Sequence, residues 1–334
     1  MLAAMTLSRR ALLAGLGAAA ASSAWPFGSA PLAQGRPRAA SAANPFSLSI
    51  LTDEISQDFG HACDVASREF GLGLVDLREA GGKNIMNWDA AQIAETRSVL
   101  DRFKLRVACI ASPIYKVDWP EAPKSRFSPK RDEFGASFTY AQQADLLDRA
   151  FELARTFATD RIRIFDFWRL DDQAPHRKAI DDVIRAAAVK AGARGLTLVL
   201  ENEYACNTAT GVEAARLLNA IPEKALQLTW DPGNAQFRDE VPFPGGYAAL
   251  PKDRIGHVHC KDAVRRDGKW EWMAMGRGTI DWAGQFRALR RDGYRHACTL
   301  ETHWRGAGTP EESSRQSFAG MKALLDKLEV RSQK

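Results

Sequence analysis

Eight short apolar segments, separated by longer stretches of helical pattern, restrict the fold of this chain more than any other feature. Most are near-continuous apolar runs rather than alternating patterns, which is typical of parallel strands covered on both faces. Eight strand–helix units over about 260 residues match the size of a (β/α)8 barrel. We therefore predict an α/β fold, a single (β/α)8 TIM barrel over residues 44–330. The predicted strands are Leu48–Thr52, Gly73–Leu77, Leu105–Ile110, Arg161–Asp166, Leu196–Leu200, Leu226–Trp230, Ile255–His259 and Ala297–Glu301.

The segments between the strands carry helix signals. In Ala141–Ala158, apolar residues recur every three to four positions, the spacing of one helix face. Glycines predict several helix ends, at Gly71, at Gly192 and Gly195, and at Gly293. An open, doubly wound sheet is the competing architecture. It is not favoured, because no GxGxxG or GxxxxGK motif follows a predicted strand.

Two connections are longer than a barrel needs. Residues Ser112–Thr139 follow the third predicted strand and contain four prolines, and Ala263–Ile280 follow the seventh. Both would leave the carboxyl-terminal face of the barrel, where active sites of this fold lie. We predict that they form walls or lids of a site, and surface decoration is the alternative.

Residues 1–43 have the composition of an export signal and a linker. Arg9 and Arg10 precede an apolar, alanine-rich stretch, a pattern similar to a twin-arginine signal peptide. Small residues suit cleavage after either Ala24 or Ala43, and a single amphipathic helix is the alternative to a signal. The prediction is a periplasmic or secreted protein. No apolar run is long enough for stable membrane insertion after cleavage.

Charge and cysteine content argue against further classes of protein, those that bind nucleic acids or membranes and those built on disulfides or CxxC motifs. The formal net charge is +5, but residues 1–43 hold four arginines and no acidic residue, which leaves 42 basic against 41 acidic residues in the body. Bulk charge therefore does not support nucleic-acid or membrane binding. The five cysteines are widely spaced and form no CxxC pair, so we predict buried free thiols.

The last four predicted strands all end in residues that bind metals. Glu201, Asp231, His259 and Glu301 would meet at one rim if these strands are adjacent. Three carboxylates repel one another unless a cation neutralises them. Oxygen-rich ligation with one nitrogen predicts one divalent ion, Mn²⁺ or Mg²⁺, with Co²⁺ or Zn²⁺ as alternatives.

Two of these assignments leave a choice between neighbours of the same strand phase. Glu203 shares its phase with Glu201, and His257 shares its phase with His259. We favour Glu201 and His259 because they stand at the ends of their apolar runs.

These motifs resemble the sugar phosphate isomerase/epimerase family, which has a xylose isomerase-like TIM barrel and includes ketose 3-epimerases, hydroxypyruvate isomerases and inosose dehydratases. The resemblance covers residues 46–325. It implies that Glu201, Asp231, His259 and Glu301 bind one divalent metal, and that Glu201 and Glu301 act as acid and base. The stretches that carry it are Thr52–Ile55, Val75–Glu79, Leu198–Asn202, Asp231–Asn234, His259–Asp262, Gly276–Trp282 and Leu300–His303.

The chain departs from the family pattern at two positions. Asn234 stands where epimerases of the family usually have a histidine, and Lys261-Asp262 replaces a downstream arginine. Lys261 is thus a candidate for acid/base work or for a substrate contact, with a rim salt bridge as the alternative. Endonuclease IV, a distant member, needs a trinuclear zinc site with many histidines, and this chain has only six.

We expect a sugar isomerase or epimerase that acts by proton abstraction next to a carbonyl, with an enediolate intermediate, on a free sugar or keto-sugar. A lyase or hydratase acting on 3-keto-sugars or keto-glycosides is one alternative, and a non-catalytic barrel that binds a carbohydrate or a partner is another. The expected partner is a small-molecule sugar, and a homo-oligomer is left open. The predicted substrate contacts are Glu54, Glu79, Arg163, Asn234 and His303.

Overall fold

The computed structural model describes residues 46–129 and 136–332, and its centre is a barrel of eight parallel strands. All eight predicted strands are present, with ends that differ by no more than two residues. The predicted signal and linker, residues 1–43, lie outside the described residues. The strands are β1 (Ser47–Ile50), β2 (Leu74–Leu77), β3 (Arg106–Ile110), β4 (Arg161–Ile164), β5 (Thr197–Glu201), β6 (Leu226–Trp230), β7 (Ile255–Cys260) and β8 (Ala297–Leu300).

The strand order is β1-β8-β7-β6-β5-β4-β3-β2, so each strand lies beside its neighbours in sequence except where β1 meets β8. The two ends of this order, β1 and β2, are joined by a single parallel bridge between Leu51 and Asp76. The Ser49 hydroxyl also donates a hydrogen bond to Asp76 Oδ1 at 2.8 Å. The predicted (β/α)8 barrel is therefore confirmed, and it is nearly closed.

Helices follow the strands and cover the outside of the barrel. The predicted helix Ala141–Ala158 is present as Gln143–Thr156. Gly71, Gly195 and Gly293 follow helices with φ of +69°, +69° and +80°, conformations that favour glycine. The helices are α1 (Phe59–Asp64), α2 (Ala90–Phe103), α3 (Gln143–Thr156), α4 (Arg177–Gly192), α5 (Gly211–Ala220), α6 (Pro232–Gln236), α7 (Tyr247–Ala249), α8 (Trp282–Arg291) and α9 (Pro310–Ser332).

The last helix, α9, packs against the segment that follows the first helix, α1. Phe318 on α9 stacks on Phe70, which follows α1, with ring centres 4.4 Å apart. Met321 on the same helix is fully buried. Burial of such side chains stabilises the fold by roughly 2–3 kcal/mol each, so α9 holds the β1 end of the barrel in place.

The connection after β7 forms a hairpin whose first residue, Asp262, organises the loop behind it. The antiparallel strands Asp262–Arg266 and Lys269–Met273 make the hairpin. Asp262 Oδ2 accepts hydrogen bonds from the backbone N–H groups of Gly276 and Gly278, at 3.0 Å each. A Cβ atom at Gly278 would lie 2.1 Å from Asp262 Oδ1, so only glycine permits this approach. The motif residues 276–282 thus form a loop built around one carboxylate.

All five cysteines are buried and free, as predicted. Burial raises the pKa of the Cys63 thiol to about 12. Within residues 46–129 and 136–332, no helix combines the length and apolar character needed to cross a membrane.

We predict that Asp262→Asn lowers the free energy of unfolding by about 2 kcal/mol. Asp262 Oδ1 accepts from Ala263 and Ile280 as Oδ2 does from the two glycines. Whichever way the amide turns, its NH2 group will face two backbone donors. Urea denaturation measures the change. The matched control is Asp267→Asn in the exposed turn of the same hairpin, which should behave as wild type, and equal stability of the two variants would contradict the prediction.

Candidate metal and active site

Four successive strands bring three carboxylates and one imidazole to a single point on the rim. Glu201 ends β5, Asp231 follows β6, His259 lies near the end of β7, and Glu301 follows β8. All four are buried, and one ligand atom of each lies within 4.8 Å of those of the others. The expected convergence is therefore present. Adjacent parallel strands ending at the same level explain it.

His259 lies among the three carboxylates. Its Nδ1 atom is 3.2 Å from Glu201 Oε1 and 3.1 Å from Glu301 Oε2. Asp231 Oδ2 is farther away, at 3.9 Å. Burial alone would lower the pKa of His259, but the charges of Glu201 and Glu301 raise it to about 10.

The two neighbours left open by strand phase take other roles. His257 lies deeper in the barrel, where its Nε2 atom is 2.7 Å from Asp76 Oδ2 and 2.9 Å from the Thr299 hydroxyl. Burial lowers the pKa of His257 despite the nearby Asp76 carboxylate. Glu203 pairs with Lys116 at 3.6 Å, away from the cluster of four. The preference for Glu201 and His259 agrees with this geometry.

Lys261 places an ammonium group directly on the cluster. Its Nζ atom donates to Glu301 Oε2 at 2.6 Å and lies 2.7 Å from Asp231 Oδ2. It also lies 5.1 Å from the centre of the Trp272 ring. A Cβ atom at Gly233 would lie 2.7 Å from Lys261 Cγ, so the lysine stem occupies space that only glycine leaves open.

Each of the two glutamates is held on both of its oxygens. Glu201 Oε1 faces His259, and Glu201 Oε2 accepts a hydrogen bond from Arg163 at 3.0 Å. In the same way Glu301 Oε2 faces Lys261 and His259, and Glu301 Oε1 accepts from Arg78 at 2.8 Å. Cations therefore surround the cluster and fix the orientation of both carboxylates.

These contacts determine which carboxylates are charged. Burial would raise the pKa of Glu201 and of Glu301, but the surrounding cations, His259 for the first and Lys261 for the second, bring both pKa values below the ordinary range. For Asp231, burial dominates and raises the pKa to about 7, although Lys261 opposes the rise. Burial would lower the pKa of Lys261, yet Asp231 and Glu301 raise it. At neutral pH both glutamates are ionised.

Arg78 is a central residue that the sequence analysis did not single out. It follows β2, is almost fully buried, and donates to Asp53 Oδ2 at 2.8 Å and to Glu54 Oε1 at 2.6 Å as well as to Glu301. Burial raises the pKa of Asp53 to about 6 despite Arg78. The sequence pattern that could have indicated Arg78 is a basic residue just after a predicted strand, β2. The strand before that one, β1, is followed by the acidic pair Asp53 and Glu54.

A cavity of about 460 Å³ opens beside the cluster. Glu201, Glu301, Arg163 and His303 line it, so four of the predicted site residues face one space. The segment after β3 supplies much of the cavity wall, which confirms the predicted wall for its described residues. No residue of Ala263–Ile280, the second predicted wall, is part of the described lining. Most of the other lining residues carry no sequence pattern that predicts a site. The other lining residues are Arg78, Asn84, Pro113, Lys116, Val117, Asp118, Pro129, Ala136, Ser137, Phe138, Thr139, Phe165, Trp168 and Glu203.

The other predicted residues lie around the cavity rather than on its wall. Glu54 is buried and contacts Arg78, His303 at 3.4 Å and Arg305 at 2.6 Å. Asn234 donates from Nδ2 to Glu201 Oε1 at 3.1 Å. Lys261 is not part of the described lining, but it contacts two residues that are, Glu301 at 2.6 Å and Glu201 at 3.9 Å.

Glu79 lies in the short hairpin formed by Glu79–Ala80 and Lys83–Asn84, and it is absent from the described cavity lining. Its role as a substrate contact stays a prediction.

The donor set fits a divalent cation. Three buried carboxylates and one imidazole have their ligand atoms close enough to share one ion, and hard divalent ions such as Mg²⁺ and Mn²⁺ prefer oxygen ligands. Asp231 Oδ2 makes no hydrogen bond of good geometry, although the Lys261 ammonium lies close to it. An ion shared by all four side chains would therefore compete with Lys261 for the same oxygens.

Comparison with known proteins identifies the family. A family model described as the xylose isomerase-like TIM barrel matches residues 65–324, which is most of the chain. The chain belongs to this family. Comparison with curated proteins finds no significant match.

Solved structures of the same fold include proteins of different activity. The chain is 18% identical to the 3-keto-D-glucoside 4-epimerase YcjR from E. coli, with a TM-score of 0.59, covering 84% of this chain and 98% of that one. It is 17% identical to the probable 3-DHS dehydratase AsbF from Bacillus anthracis, with a TM-score of 0.61 and coverage of 83% and 98%. A xylose isomerase-like protein from Mycobacterium smegmatis in complex with magnesium is 16% identical, with a TM-score of 0.61 and coverage of 85% and 97%. These similarities establish the fold.

We predict that Lys261→Met raises the affinity for Mn²⁺ by about tenfold, equivalent to about 1.4 kcal/mol. The variant removes the ammonium that an ion would have to displace from Asp231 and Glu301. Without Mn²⁺ it should unfold at a lower temperature than wild type, because two buried carboxylates lose a partner.

Isothermal titration calorimetry and thermal unfolding measure both effects. Lys178→Met, on the exposed face of α4, serves as the control and should match wild type. An unchanged or weaker Mn²⁺ affinity in Lys261→Met would contradict competition between the lysine and the ion.

Proposed function

We propose that the protein is a divalent-metal-dependent isomerase or epimerase that moves a proton next to the carbonyl of a sugar or keto-sugar. One observation carries this proposal: Glu201 and Glu301 belong both to the four-residue cluster and to the cavity wall. Two carboxylates thus border both the candidate cation site and the cavity that would hold a substrate. That arrangement suits abstraction and return of a proton.

The cluster residues Glu201, Asp231, His259 and Glu301 would hold the metal. An ion bound there would supply positive charge that stabilises the negative charge developing on a carbonyl oxygen when the neighbouring carbon loses its proton. Mn²⁺ or Mg²⁺ suits the oxygen-rich set, and the magnesium complex of the Mycobacterium smegmatis relative supports this choice.

The chain's own residues divide the remaining work. Arg163 and Arg78 orient Glu201 and Glu301 from the side away from His259. Both glutamates line the cavity, so either carboxylate is placed to accept a proton from a substrate carbon. His303 lines the cavity with Nε2 at 3.8 Å from Glu301 Oε1, where it can exchange a proton with a substrate oxygen.

A lyase or dehydratase is the second candidate, and Asn234 favours it. Its amide contacts Glu201 at a position where epimerases of the family usually have a titratable histidine. Elimination from a keto-sugar begins with the same proton abstraction and ends with cleavage of a carbon–oxygen bond. The fold relative AsbF, a probable dehydratase, is consistent with this chemistry.

The proposal includes export, because residues 1–43 resemble a twin-arginine signal. Phosphorylated sugars are scarce outside the cytosol, so the proposed substrate is not phosphorylated.

We predict that the purified protein contains about one divalent ion per chain, and that His259→Ala loses it. His259 supplies the only nitrogen of the cluster and separates the carboxylates of Glu201 and Glu301. Mass spectrometry of metal content tests this directly. The control is His61→Ala, an exposed histidine on α1 that pairs with Glu311. Wild-type protein without metal after incubation with Mn²⁺ would favour a carbohydrate-binding barrel without catalysis.

We predict that the Mn²⁺-loaded protein exchanges a carbon-bound proton of a keto-sugar with deuterium from D2O. Glu201→Gln and Glu301→Gln should each slow the exchange at least about a hundredfold, since an amide cannot act as a base. Nuclear magnetic resonance follows the exchange and separates retained substrate from epimer or elimination product.

Glu311→Gln on the surface of α9 is the control for these variants and should retain full exchange. Exchange that persists in both cluster variants would remove Glu201 and Glu301 from the acid/base roles.

A further inference from the structure

One wall of the cavity runs from the candidate catalytic carboxylates to a group of aromatic rings. Arg163 binds Glu201, and its guanidinium lies 4.9 Å from the centre of the Phe165 ring. The Lys116 ammonium lies 4.9 Å from the same ring and 5.2 Å from the Trp168 ring. All five residues line the cavity. The wall thus passes from a charged end to an aromatic end.

The segment after β3 covers this aromatic end with apolar groups. Pro113, Val117 and Phe138 line the cavity there, and Val117 is largely buried while Phe138 is half-buried. The backbone carbonyl of Val117 accepts a hydrogen bond from the N–H of Trp168 at 3.0 Å, which ties the segment to the wall. The part of the cavity wall around Phe165 and Trp168 therefore combines apolar and aromatic groups with the charged pair Lys116 and Glu203.

Lys116 is the cation of this aromatic end. It pairs with Glu203 at 3.6 Å, a distance longer than a hydrogen bond, so the ammonium can still donate a hydrogen bond to a polar ligand atom from the cavity side. Its ammonium already lies near two aromatic rings, and a third ring placed beside it would gain the same attraction.

The two ends suit different parts of one ligand. One face of a sugar ring carries C–H groups that stack on a single aromatic ring, but its hydroxyl groups point outward around the ring and do not suit a wall made of several aromatic and apolar side chains. The cavity of about 460 Å³ falls in the range of pockets that take ligands larger than one sugar ring, roughly 300–1,000 Å³. A sugar joined to an apolar substituent would place the sugar near Glu201 and Glu301 and the substituent near Trp168.

We propose that the aromatic end of the cavity, formed by Lys116, Val117, Phe138, Phe165 and Trp168, is a subsite for the aromatic aglycone of a glycoside. The substrate class is then a keto-glycoside rather than a free keto-sugar. This inference rests on the proposed function, because Glu201 and Glu301 define which end holds the sugar.

Calorimetric titration of the Mn²⁺-loaded full chain tests the subsite without turnover. The probes are the phenyl and methyl glycosides of glucose and of galactose, which differ only in the aglycone within each pair. The phenyl member of at least one pair should bind about tenfold more tightly than its methyl partner. Equal affinity within both pairs, or no binding of any probe, would overturn the proposal.

Variants locate the aglycone. Trp168→Ala and, should that variant fold poorly, Phe138→Ala should remove the phenyl preference while affinity for the methyl glycoside changes less than twofold. Lys116→Met should reduce the preference and leave Mn²⁺ affinity unchanged. Tyr204→Ala, an exposed ring outside the cavity lining, is the control and should retain it. A preference that survives in both ring variants would place the aglycone elsewhere and overturn the proposal.

The two proposals fail in distinguishable ways. Phenyl preference without proton exchange on any keto-glycoside would support the subsite and contradict the proposed reaction. Proton exchange on free keto-sugars without phenyl preference would support the reaction and contradict the subsite.

Discussion

The neutralisation of three buried carboxylates is the interaction on which the site depends. One carboxylate oxygen from each of Glu201, Asp231 and Glu301 lies within 4.8 Å of the other two. Because these side chains are buried, the repulsion between their charges is costly. Lys261 and His259 contact them from one side, and arginines hold the outer oxygens of both glutamates. Each cation also fixes the orientation of the carboxylate that it contacts. The same contacts therefore offset the repulsion and position the carboxylates for chemistry.

The barrel supplies the rigidity that this charge balance requires. Each cluster residue stands at the end of its own strand, and the strands are joined by a continuous parallel ladder. A displacement of one strand would therefore move one charged side chain away from the partners that neutralise it. The Asp262 carboxylate extends this order beyond the barrel, since it accepts hydrogen bonds from the loop that follows the β7 hairpin. Lys261 and Trp272 pack beside Gly233, at the start of this connection and within its hairpin. The proposed chemistry depends on that geometry.

Prediction from sequence succeeded where the pattern is local. Strand runs of four to six residues and helix ends at glycine follow from burial and from backbone sterics, so the barrel was predictable. The four cluster residues were predictable because adjacent parallel strands end at the same rim. Arg78 was missed, because its importance arises from partners that follow other strands, Asp53 and Glu301. Lys116 was missed for the same reason, as its loop meets Glu203 and Trp168 only after folding.

The sequence by itself determined the fold class and the four residues at the strand ends, because periodicity and strand phase are properties of neighbours along the chain. Only the tertiary structure decided which charges face each other. It separated His257 from His259 by assigning the first to Asp76. It also placed the segment after β3 over Phe165 and Trp168, and so gave the cavity an aromatic end. Contacts between residues far apart in sequence depend on how loops and strands pack, and no local pattern encodes them.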